Sequence, residues 1–125
     1  MRRSLPAANC WGVEVDHIIT GRLAELSRML DAATSEIAEL DEQAVRAKQA
    51  HEVAYARAFL TSEGAMDARK QQAVLATDGE KLGAEIAQQK VRACQERIRT
   101  IRVQIDVGRS LGAAQRAEFT AGAGT

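Results

Sequence analysis

From Leu23 to Ala58, small and apolar residues recur at alternating steps of three and four. The positions are Leu23, Leu26, Leu30, Ala33, Ile37, Leu40, Ala44, Ala47, Ala54 and Ala58, with His51 alone interrupting the series. A repeat of seven keeps one narrow stripe turned toward a partner helix, which is the seam of a coiled coil. No Gly or Pro occurs between Arg22 and Glu63, so nothing stops one continuous helix. At 1.5 Å per residue that helix would run about 60 Å, well beyond an average globular helix. A stripe of this length requires a second helix to cover it.

The second helix is found further along the chain. Thr61-Ser62-Glu63-Gly64 is a break, with Gly64 suited to the left-handed residue that follows a helix end. A short helical segment from Asp67 to Ala76 bridges to Thr77-Asp78-Gly79-Glu80, which fits a capping box in which Thr77 caps and Glu80 reaches back. Beyond it Ala84, Ala87, Val91, Cys94, Ile98, Ile101, Ile105 and Gly108 repeat the same steps. The expected fold is all-α: a long antiparallel helical hairpin, coiled-coil-like, with a short connecting helix.

Charge points the same way by an independent route. From Glu14 to Glu42 there are eight acidic residues against Arg22 and Arg28, and from Lys90 to Arg116 seven basic residues against Glu96 and Asp106. Folding the chain about residue 70 lays these stretches side by side. Each exposed pair contributes only about 0.2–1 kcal/mol, yet together they favour the antiparallel alignment over the parallel one. In this reading residues 1–13 form a flexible N-terminal arm, 14–118 the hairpin domain and 119–125 a flexible tail. Asp16 is the expected N-cap of the first helix, and Trp11 is read as a staple on it in preference to a partner anchor.

A chain of 125 residues with 3% aromatics and one Pro has few large side chains with which to build a core. Self-association would help such a thin fold, so a homo-oligomer is expected. No apolar run reaches the length of a membrane span, and the basic start, Met1 to Pro6, lacks the apolar run of a secretory signal. Cys10 and Cys94 have no metal-type spacing and read as two reduced thiols. The expected compartment is the cytoplasm.

Motifs of chemistry are sparse. Around His51 the positions that would complete a metal site hold Ala47, Lys48, Ala54 and Tyr55, so His51 reads as a partly solvated seam residue and not as a ligand. No Ser or Cys lies in a nucleophile context, and neither phosphate-loop nor dinucleotide glycine pattern occurs. The expectation is a protein without catalytic residues, cofactor or metal, and not an enzyme. One constellation stands out, the arginines at seven-residue spacing: Arg92 and Arg99, then Arg102, Arg109 and Arg116. They could contact a partner or track phosphates, or they could pair with the acidic half of the first helix. No aromatic residue is interleaved to stack bases, so pairing within the chain is favoured over nucleic acid.

The run Tyr55-Ala-Arg-Ala-Phe-Leu60, then Gly64, then Asp67-Ala-Arg-Lys70, resembles small helical proteins encoded by actinobacterial phages and prophages. So does the ending Ile105-Asp-Val-Gly-Arg-Ser-Leu-Gly-Ala-Ala-Gln-Arg-Ala-Glu118. The resemblance covers residues 45–119 and brings no catalytic residues with it. It implies a bacterial host cell and a setting near phage replication and recombination functions, such as single-strand annealing proteins and exonucleases. With the architecture, it leads to an interaction or accessory protein in DNA replication or recombination. The alternatives are a direct DNA-binding protein using the arginine stripe, and a structural or scaffolding component of the virion.

Overall fold

The computed structural model describes the backbone of residues 4–123 and the side chains of residues 12–122. It contains three helices, α1 (Ser4–Thr61), α2 (Met66–Ala76) and α3 (Asp78–Ala123), and no strand among the described residues. The chain is therefore all-α, two long helices joined by a short one. It comprises two compact units, Met1–Ala33 with Arg97–Thr125, and Thr34–Glu96.

The first unit pairs the start of α1 with the end of α3. A methyl group at Gly12 would lie 3.6 Å from the Phe119 ring, one at Gly112 3.5 Å from Ile19, and one at Gly108 2.8 Å from Leu23. The residue numbers of each pair add to 131, the signature of an antiparallel alignment without slippage. Leu26, Ala33, Ile98, Ile101 and Ile105 are buried between the helices. The alignment differs from a fold about residue 70, which would set Leu23 against Ala117. Glycine explains the shift: Gly108 and Gly112 have no side chain, and the Leu23 and Ile19 knobs occupy the space left free.

Helix α1 begins at Ser4, so Asp16 lies half-buried inside it and caps nothing. Pro6 falls in the first turn, where a missing N–H costs no hydrogen bond. The segment expected to be a flexible arm is thus helical from Ser4, and Gly12 packs against Phe119 from the segment expected to be the tail. The side chains of Cys10 and Trp11 lie outside the described residues.

The second unit holds the return of the chain. Gly64 has φ 107°, the left-handed conformation expected after the end of α1. The last carbonyls of α1, which have no partner within the helix, are taken up locally. The Ser62 hydroxyl donates to Ala58 O at 2.6 Å, and the Thr61 hydroxyl to Arg57 O at 3.0 Å. From α2, Arg69 Nη2 donates to Phe59 O at 3.0 Å and Gln72 Nε2 to Glu63 O at 3.2 Å.

A single residue, Thr77, separates α2 from α3. Its expected role as a side-chain cap is corrected: the hydroxyl turns back and donates to Ala73 O at 2.7 Å, while its own carbonyl accepts from the Lys81 N–H. The reason is burial. Thr77 is 3% exposed, and the nearest acceptor for its hydroxyl is the carbonyl one turn behind. In this unit the seam starts with half-buried Ile37 and Leu40 and then turns to smaller residues: Ala44, Ala73, Val91 and Cys94 are buried, and Ala47, His51, Ala54, Ala84 and Ala87 half-buried. His51 sits on the seam as expected, its ring 6.5 Å from Tyr55, edge to face.

Candidate functional site

The seams fix where the arginines point. With Leu23 and Ile105 lettered a, and Leu26 and Gly108 lettered d, the five arginines fall on two different lines. Arg102, Arg109 and Arg116 occupy successive e positions beside the seam. Arg92 and Arg99 occupy b positions on the outer surface, so the five do not share one line. All five are exposed.

Within the first unit the e line can be placed against α1. In an antiparallel pair the e flank of one helix meets the e flank of the other, because the directions are reversed. On α1 that flank carries Val13, Thr20 and Ser27, none of them charged. The acids of the same segment, Glu14, Asp16, Glu25 and Asp31, take f, a, c and b positions. Glu25 is engaged along its own helix, 3.0 Å from Arg22, and further along α1 Arg46 pairs with Glu42 at 2.8 Å. The charge imbalance between the helices is present, but in the first unit the register sets uncharged e positions opposite Arg102 and Arg109, and Arg116 shares a cleft with one acid, Asp16.

At the end of this line Arg116 joins Gly12, Val13, Asp16, Gln115, Phe119 and Thr120 around an open cleft of about 350 Å³. Its apolar wall is Phe119 and Val13, and its charged members, Asp16 and Arg116, have opposite sign. Seven-residue spacing shows the line but not the cleft, which exists only once α1 is extended back past Gly12.

A second cluster forms at the corner between α1 and α2. The Arg69 guanidinium lies 4.5 Å above the Phe59 ring, and Phe59 stacks on Tyr55 at 6.5 Å. One cation therefore covers an aromatic face and caps a helix end, where the carbonyl dipoles favour positive charge. The nitrogen Arg69 Nε is buried without a hydrogen-bond partner. Tyr55, Phe59, Gly64 and Arg69 all fall within the Tyr55–Lys70 stretch. Their contacts are those of a structural corner, and they assemble no reactive group.

With this geometry in place, the comparisons can be stated. The chain matches the family of the iron only hydrogenase large subunit, C-terminal domain, over residues 2–121, and it belongs to that family. No curated protein and no solved structure matches it. Membership corrects the expectation that the chain is not an enzyme, since the family is one of enzymes. That expectation came from looking for nucleophiles, phosphate loops and dinucleotide glycines. Chemistry carried by a metal needs none of these.

The family name implies iron, so the donor atoms have to be tested against it. Iron–sulfur centres are held by several cysteine thiolates, commonly four. This sequence has two cysteines and two histidines. Among the described residues no three His, Cys, Asp or Glu side chains come together as a metal site. Cys94 is fully buried on the α3 seam as a thiol, not as half of a disulfide. The residues present do not fit an iron centre, and no catalytic step is derived through one. Incubation with ferrous iron and sulfide under argon, followed by desalting, should leave far less than one iron per chain. Stoichiometric iron that a Cys94→Ala variant fails to retain would reverse this assignment.

Proposed function

We propose that this member of the iron-only hydrogenase large-subunit family works as an interaction subunit that holds an acidic protein partner along Arg102, Arg109 and Arg116. The observation that carries the reading is the register of the first unit: three exposed arginines on one line, about 10 Å apart, opposite uncharged e positions of α1, with Asp16 alone sharing a cleft with Arg116. Arginine suits such a role because its planar fork meets carboxylates two hydrogen bonds at a time. The family is named for a subunit, a chain that works in an assembly, which agrees with this role. The resemblance to phage proteins sets the role in the cytoplasm of a bacterial host, as an accessory of phage DNA replication or recombination.

The test is a double substitution, Arg102→Gln with Arg109→Gln. Tagged wild-type chain should retain a partner from phage-infected host cells at low salt and release it as salt rises, since exposed charges are screened beyond about 10 Å at 0.1 M. The double variant should retain none of it, while its melting curve stays within about 0.5 kcal/mol of wild type. If the arginines instead pair within the chain, stability falls by about 1 kcal/mol or less and the loss shrinks in high salt. A gel shift at several salt concentrations distinguishes DNA: each phosphate contact removed lowers the salt slope by about 1.

A further inference from the structure

Asp16 and Arg116 line one open cleft of about 350 Å³, yet neither side chain forms an ion pair with any described residue. A carboxylate and a guanidinium that share a cleft without joining offer both signs of charge to a third group. The rest of the cleft sorts by chemistry. Phe119 and Val13, 54% and 52% exposed, supply an apolar wall. The Thr120 hydroxyl donates to Arg116 O at 2.9 Å, so its oxygen is left to accept a hydrogen bond. Gln115 Nε2 lies 3.7 Å from where a Gly12 Cβ would stand, and the missing side chain of Gly12 keeps the cleft open there.

We infer that this cleft binds a free aromatic α-amino acid. The planar fork of Arg116 takes the α-carboxylate two hydrogen bonds at a time, and the Asp16 carboxylate takes the α-ammonium, with the Thr120 oxygen as a second acceptor. The ring of the ligand rests against the Phe119 ring, offset or edge-on. Opposite charges on one carbon beside an apolar body separate such a ligand from the alternatives. A dicarboxylate would set a negative group against Asp16, and a residue inside a peptide carries neither charge. A purely apolar molecule would leave both charges unused. The volume lies at the low end for small-molecule sites, about 300–1,000 Å³, which suits a ligand the size of one residue. Arg116 also ends the line assigned to the acidic partner, but the cleft needs neither Arg102 nor Arg109, so the inference does not rest on that reading.

Titrating the nitrogen-15-labelled chain with L-phenylalanine, followed by amide shifts, tests the inference. Saturable shifts are expected from Gly12 to Asp16 and from Gln115 to Thr120, with a Kd of about 0.1–1 mM for a ligand of this size. Three analogues each remove one part: glycine the ring, N-acetylphenylalanine the ammonium, phenylalaninamide the carboxylate. Each should bind the wild-type chain about tenfold more weakly or worse. Asp16→Asn should weaken phenylalanine by a similar factor and leave N-acetylphenylalanine unchanged, while Arg116→Gln should leave phenylalaninamide unchanged. Arg102→Gln with Arg109→Gln should bind phenylalanine as wild type does, whether or not it holds the acidic partner. The absence of saturable shifts at millimolar phenylalanine overturns the inference. So does wild-type binding that any of the three analogues matches, or binding that a folded Asp16→Asn chain retains in full.

Discussion

Replacing Ile101 with Ala should lower the stability of the chain by about 2–5 kcal/mol, the range for removing a buried branched side chain and leaving part of its volume empty. Ile101 is 2% exposed, and its neighbours along the seam, Ile98 and Ile105, are each 8% exposed. These few isoleucines, with Leu26, supply most of the large buried apolar surface of their unit, so no deeper layer exists to compensate. Single domains have only about 5–15 kcal/mol of net stability, and the loss should be plain in a denaturant titration. Val103→Ala on the same helix is the control. Val103 is 60% exposed, and the change should stay within about 0.5 kcal/mol. Tyr55→Ala, at a half-buried position beside the seam, should fall between them. Equal losses for Ile101 and Val103 would mean that the seam does not bury what its period indicates.

Gly108→Leu is expected to cost about 1–3 kcal/mol, for the opposite reason. Even a methyl group there would lie 2.8 Å from Leu23 Cδ2 and 3.4 Å from its Cγ, so a larger side chain must push Leu23 out of the interface or spread the helices. Ala at the same position offers a finer comparison. Leaving glycine inside a helix gains about 1 kcal/mol, which offsets much of a mild clash, so Gly108→Ala should come out near neutral. Gly21 has nothing within 4 Å of where its Cβ would stand, and Gly21→Ala should raise stability by about 0.5–1 kcal/mol. Urea titrations of the three variants should rank them Gly21→Ala, Gly108→Ala, Gly108→Leu. A Gly108→Leu chain as stable as wild type would show that Leu23 leaves the seam at no cost.

The seam was legible residue by residue because hydrophobic period is a local property that any helical partner must satisfy. Each apolar position read from Leu23 to Ala58 and from Ala84 to Gly108 is buried or half-buried. Gly64 was legible too, since a left-handed residue after a helix narrows the choice of amino acid. The register was not legible. Steps of three and four fit equally well after a slide by one heptad, and the choice was made by the volumes of Gly108 and Gly112 against Leu23 and Ile19. Because the register decides which flanks meet, the partners of the arginines went with it. Thr77 satisfied a capping pattern in sequence and was diverted by burial. The extended start of α1 escaped notice because Pro6 and Gly12 look like breakers until Phe119 is placed against Gly12. Enzyme family membership had no signal in the motifs sought.

The change of side chain along the seam makes the two units unequal in how they open. In the first, leucine and isoleucine meet across the interface; in the second, beyond Ile37 and Leu40, alanine, valine and one cysteine do. Apolar burial contributes about 25 cal/mol per Å², so each layer from Ala44 onward resists separation less than an isoleucine layer of the first unit. Those layers are therefore expected to part more readily than the isoleucine layers, a sub-global opening that hydrogen exchange would register, distinct from unfolding of the whole chain. The Cys94 thiol, shielded in the closed state, meets solvent only during those excursions. The chain thus carries in its own sequence a reporter of how often its weaker half breathes.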